Sequence, residues 1–182
     1  MNLVTSLVTI ALGSYGVLKR VLLNCVCGGL CSDKLPTRLN LEKRGIIIPT
    51  NLCHLRKKAE ESVQHVFVSC EVEQKVWDNC DRWIGISSVR QHTIVNHYQN
   101  FYLLCCNKKA NVVWKGVWVA VVWEIWYHRN RIVFKNGVVD DVEIFTLAQL
   151  KAWSWAKFRW LRVNYSVSDW LICPQICLGS IT

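Results

Sequence analysis

Three side chains able to hold a soft divalent cation stand near one another in this chain: Cys53, His65 and Cys70, in the pattern C-x11-H-x4-C. Thiolate and imidazole are zinc ligands, and a structural zinc site takes four of them in a tetrahedron. The spacing supplies three. The position that would complete a C-x2-C pair with Cys53 is Arg56, a cation that cannot ligate. His54 is a further nitrogen donor, but adjacent residues reach one metal only with strain. His65 and Cys70 are five residues apart, so on one unbroken helix at about 100° per residue they would point about 140° away from each other. Joint ligation therefore requires a break between them. Without it, Cys70 is a small hydrophobe on a helix face and His65 a surface or capping histidine.

A second chemistry sits in the C-terminal half. Lys151, Lys157, Arg159 and Arg162 are interleaved with Trp153, Trp155, Phe158 and Trp160, and Lys108, Lys109, Arg129, Arg131 and Lys135 precede them. Cations neutralise phosphate and flat rings stack on unpaired bases, so Lys151, Lys157, Arg159, Arg162, Trp155 and Trp160 are the candidate contacts to RNA or single-stranded DNA. The net charge of +9 favours such an acidic partner. The structural alternative is that the tryptophans are core and the cations its solvated face. Lys43-Arg44 and Arg56-Lys57-Lys58 add charge beside the cysteine-histidine group. Catalysis has weaker support. Asp140-Asp141 is the sole aspartate pair, and acid at a helix start has an ordinary capping role. No phosphate loop or nucleophile arrangement appears, and the adjacent Cys105 and Cys106 have no catalytic partner in view, so no enzyme is expected.

The elements that must position these groups read as mainly α. Pro36 suits the first turn of a short helix that ends near Arg44 before Gly45. Ile46 to Ile48, closed by Pro49, predicts an extended piece leading into an irregular or hairpin segment over 46–58. Val63, Val66, Phe67, Cys70, Val76, Trp77 and Cys80 predict one helix from about Ser62 to Trp83, with Glu60 and Glu61 favoured by its dipole and Gly85 ending it. A further helix is expected over 93–106. The pattern over 110–134 carries apolar residues beyond a simple stripe and must be covered on most sides. After Gly137, Asp140 or Asp141 caps a helix that runs toward Trp160. Hydrophobic residues at 52% and charged ones at 19% exclude wholesale disorder.

The run Leu35-Pro36-Thr37-Arg38-Leu39-Asn40-Leu41-Glu42-Lys43-Arg44-Gly45-Ile46, then Glu60 through Cys70, then Val76-Trp77, resembles the zinc-binding domain that follows the polymerase in plant LINE-type, non-LTR retrotransposon reverse transcriptases. The later Trp118, Trp123-Glu124-Ile125-Trp126, Arg129-Asn130-Arg131 and Phe134 are similar to that family's tryptophan-rich tail. The resemblance implies a C-x2-C pair followed by H-x4-C, which maps onto Cys53, position 56, His65 and Cys70. With arginine at 56, it implies a degenerate copy that has lost one of its zinc ligands.

The chain accordingly divides into a divergent apolar segment (1–34), a zinc-binding-like helical domain (35–165) and a C-terminal tail (166–182). Ten cysteines follow no regular framework, so free thiols in an intracellular compartment, nucleus or cytoplasm, are expected. The opposing reading is a membrane-associated or secreted protein that uses the uncharged stretch Asn2–Leu18, or an inert transposon remnant. That stretch lacks the basic lead of a signal peptide and is diluted by Thr, Ser and Gly, so a membrane is not the expected partner.

Overall fold

The computed structural model describes residue 30 and residues 33–159 and 165–181. The segment 1–29, and with it the apolar stretch Asn2–Leu18, lies outside them. Among the described residues the fold is mainly α, with no strand and a single antiparallel bridge between Leu52 and Glu60. No helix there is long and apolar enough to cross a membrane.

Helix α1 (Arg38–Lys43) is capped by Thr37, whose hydroxyl accepts from Asn40 N–H at 3.4 Å. Pro36 therefore precedes the cap and does not occupy the first turn. The loop that follows is closed by the 52/60 bridge and by Cys53 N–H donating to Ala59 C=O at 2.8 Å, which makes the expected hairpin-like piece. The helix expected from Ser62 to Trp83 is in fact two. A π-helical turn, His65–Ser69, is followed by an extended Cys70 (φ −74°, ψ 136°), and only then does α2 (Glu71–Ile84) begin. Gly85 ends α2 in the left-handed region at φ +71°, the conformation a C-terminal glycine accepts without a Cβ penalty.

Helix α3 (Ile94–Asn100) is shorter than the helix expected over 93–106. The reason lies in the next element. Asn111 of α4 (Lys108–Lys135) is buried, and its side chain accepts from Leu103 N–H at 2.8 Å and donates to the carbonyls of Leu103 and Cys106 at 2.9 and 3.0 Å. A side chain that satisfies these backbone groups removes the need for a helix there. Phe101 is free to turn inward and stack on Trp114, centroids 4.5 Å apart and planes 6° from parallel.

Helix α4 ends on Asn136 in the left-handed conformation (φ +51°), one residue before Gly137. Helix α5 (Asp141–Arg159) is capped by Asp140, whose carboxylate accepts from Glu143 N–H at 2.9 Å. The two long helices pack together, and α2 packs on α5. Trp77, Trp83, Trp114, Trp118 and Trp170 meet edge-on or stacked in the core between them. Within the C-terminal tail, α6 (Val167–Ile172) and α7 (Pro174–Gly179) bury Trp170 and Leu178 completely. Trp170 Nε1 donates to Gln149 C=O at 2.9 Å and Trp83 Nε1 to Leu171 C=O at 3.0 Å.

Candidate metal centre

The break at Cys70 is what the three ligands need. In the π turn Cys70 N–H reaches back five residues to His65 C=O at 2.8 Å, so the wider turn sets the two residues one above the other. A ligand atom from each of Cys53, His65 and Cys70 then lies within 4.8 Å of the other two. Ligands bound tetrahedrally at zinc distances stand roughly 3.3–3.8 Å apart, so only a small inward movement is required.

The surroundings suit a cation. Cys53 and Cys70 are both fully buried free thiols, and His65 Nε2 is a buried nitrogen without a hydrogen-bond partner. An unpaired polar atom in a core costs free energy that a bound metal would recover. The Cys53 thiol is held well below its ordinary pKa, first by the hydrogen bond from Cys70 and further by the N–H groups of Leu55 and Arg56, against the cost of burial. Cys70, which keeps the shared proton, is pushed up. The N–H groups of Val72 and Glu73, in the first turn of α2, favour its anion. A divalent cation in place of that proton lets both sulfurs ionise.

Neither remaining donor candidate joins them. Arg56 reaches Glu71 Oε2 at 2.6 Å and Lys58 pairs with Oε1 of the same carboxylate at 2.9 Å, so the loop is clasped to the start of α2 by ions where a C-x2-C pair would have used a thiolate. His54 is engaged elsewhere. Its Nδ1 lies 2.8 Å from Glu61 Oε2, and its Nε2 faces the Arg38 guanidinium.

That contact belongs to a network that sequence reasoning missed. Glu61 is not a dipole-favoured acid on a helix start; it is completely buried and receives both Nε and Nη2 of Arg129 from α4. It also accepts from Arg38 N–H at 3.1 Å and from His54 N–H at 3.2 Å. Burial alone would raise its carboxyl, but Arg129 and His54 together hold it below the usual carboxylate range. One signal was present in the sequence: Arg129 falls on the apolar stripe of α4, and an arginine there requires a buried acid.

Of the proposed nucleic-acid residues, the side chains of Lys151, Trp155 and Lys157 are among the described ones. Lys151 lies over Trp123 and pairs with buried Glu124, Trp155 is half-buried against the core, and Lys157 is exposed above the Trp153 ring. Arg159 closes α5, while Trp160 and Arg162 lie outside the described residues. Of the accompanying cations, Arg129 is buried on Glu61 and so is not available to phosphate, while the part-exposed Arg131 is paired to Glu143 at 2.7 Å. Asp140 is a helix cap, as its neighbourhood in the sequence implied.

Residues 22–77 match the family model for zinc binding in reverse transcriptase. The match holds all three converging ligands, covers less than half of the chain, and is to the zinc-binding region and not to a catalytic domain. It begins inside the segment set apart above as divergent and ends at Trp77. No curated protein and no solved structure matches the chain significantly.

Proposed function

We propose that this chain is a non-catalytic module derived from a LINE-type reverse transcriptase of plant character, in which Cys53, His65 and Cys70 hold one zinc ion. The site is a degenerate one: the knuckle lends three ligands, and the fourth place falls to a water or another outside donor. The observation that carries this reading is the convergence of the three donor atoms across the π turn, together with the partnerless His65 Nε2. When bound, zinc would supply a cross-link between the loop and the start of α2, a structural contribution. The test is metal analysis of protein purified under reducing conditions. The native chain should bind zinc at one equivalent but at least tenfold more weakly than Arg56→Cys. Equal, tight binding by both, or none by either, contradicts the proposal.

We also infer that the basic surface contacts RNA or single-stranded DNA through Lys157, with Arg159, Trp160 and Arg162 beyond it. The net charge and the exposure of Lys157 support this. Binding should fall steeply as salt rises, with log K linear in log[salt]. Salt-insensitive binding, or none, removes the reading.

A further inference from the structure

A second pair of thiols lies away from the metal centre. Cys105 and Cys106 occupy the turn before α4, their sulfurs 4.0 Å apart, with Cys105 exposed and Cys106 partly so. The turn is not slack. Cys106 N–H donates to Leu103 C=O at 3.2 Å, and the Asn111 side chain grips Leu103 and Cys106 as described above. The two sulfurs are thus presented on backbone that is already fixed.

Neighbouring cysteines are poor partners for a direct disulfide. Their Cα atoms are about 3.8 Å apart across a trans peptide, closer than the 4.4–6.8 Å usual for a disulfide. The pair is better suited to a single soft atom inserted between the sulfurs. Cys105 also borders a groove of about 560 Å³ whose lining includes Ile86, Val89, Phe101, Leu104 and Trp114 together with polar groups such as Ser87. Leu104, directly before the pair, is 94% exposed.

We infer that Cys105 and Cys106 form a chelating site for a soft thiophilic centre bearing one apolar substituent, with a trivalent organoarsenical as the representative class. The soft atom bridges the two sulfurs and the substituent lies along the groove. With phenylarsine oxide, two As–S bonds replace the arsenic–oxygen bond, and the two thiol protons leave with that oxygen as one water. Arsenic stays trivalent, so no oxidant or reductant is needed.

The experiment uses the full chain loaded with zinc, titrated with phenylarsine oxide and followed by thiol counting and peptide mapping. One equivalent should remove two reactive thiols, and the adduct should map to the peptide holding Cys105 and Cys106. Cys105→Ser and Cys106→Ser should each weaken uptake at that peptide at least a hundredfold, because the second bond of a chelate forms at high effective concentration. Inorganic arsenite, lacking the ring, should bind at least tenfold more weakly. Should a variant lose its helical spectrum, the mapped position in the native chain decides. An adduct confined to other cysteines, a single-serine variant that binds as tightly, or arsenite binding as well as the phenyl compound overturns the inference. Failure of zinc binding would leave Cys53 and Cys70 free to take up arsenical as well, and the mapping distinguishes that pair from Cys105 and Cys106, whose uptake is the result read.

Discussion

At the scale of single residues, two buried carboxyl groups, Glu61 and Glu73, have opposite character. Glu61 is compensated: two guanidinium nitrogens, an imidazole and two backbone N–H groups surround it. Removing one partner of such a pair leaves the other buried and unpaired, so Arg129→Ala should cost about 3–5 kcal/mol in urea unfolding. A loss below about 1 kcal/mol would mean that the site admits water. Glu73 is uncompensated. It is buried on α2, one carboxylate oxygen has no partner, and burial pushes its pKa up to about 8. Its folded pKa is raised, so its contribution is full below the unfolded value and is lost as pH rises through about 8. Glu73→Gln should therefore leave Tm unchanged near pH 4 and raise stability by roughly 2–4 kcal/mol at pH 8.5. A Tm difference that does not vary with pH would refute the assignment. His97, buried against Trp118 and Trp77, is lowered to about 4 by burial, with the opposite sign. The glutamate is accordingly tested by the difference between variant and native chain.

At the scale of elements, the spacing arguments located α2, α4 and α5 because each carries a long apolar pattern that packing can only satisfy one way. They also identified the condition for the metal site, a break between His65 and Cys70, without being able to say that it was met. A π turn has no period that five residues could display, and its formation depends on Val66 and Phe67 being drawn into the core while Cys70 swings back toward the loop. The shortening of α3 was illegible for a related reason. Asn111 lies outside the expected helix, and its effect on Leu103 and Cys106 exists only once α4 is in place. Asn111→Ala should unpin the turn, leave Leu103 N–H and Cys106 C=O to find water, and cost about 2 kcal/mol. Amide exchange at Leu103 should accelerate; unchanged protection there would show that the turn holds itself.

At the scale of the whole molecule, the family match ends at Trp77 but its packing does not. Phe67 sits against Trp126, Trp77 against Trp118, and the countercharge of Glu61 comes from residue 129. Residues 22–77 expressed alone should consequently show no cooperative unfolding transition even with zinc, whereas the full chain should; a folded fragment would show that the C-terminal helices are an addition and not a part of the core. The central claim is that two thiolates and one imidazole share a single ion. X-ray absorption at the zinc edge of the loaded full chain tests it most directly. The expected first shell is two sulfurs and one nitrogen, completed by one light atom, with one sulfur lost in Cys53→Ser. A shell without sulfur, or one unchanged by that substitution, would contradict the account.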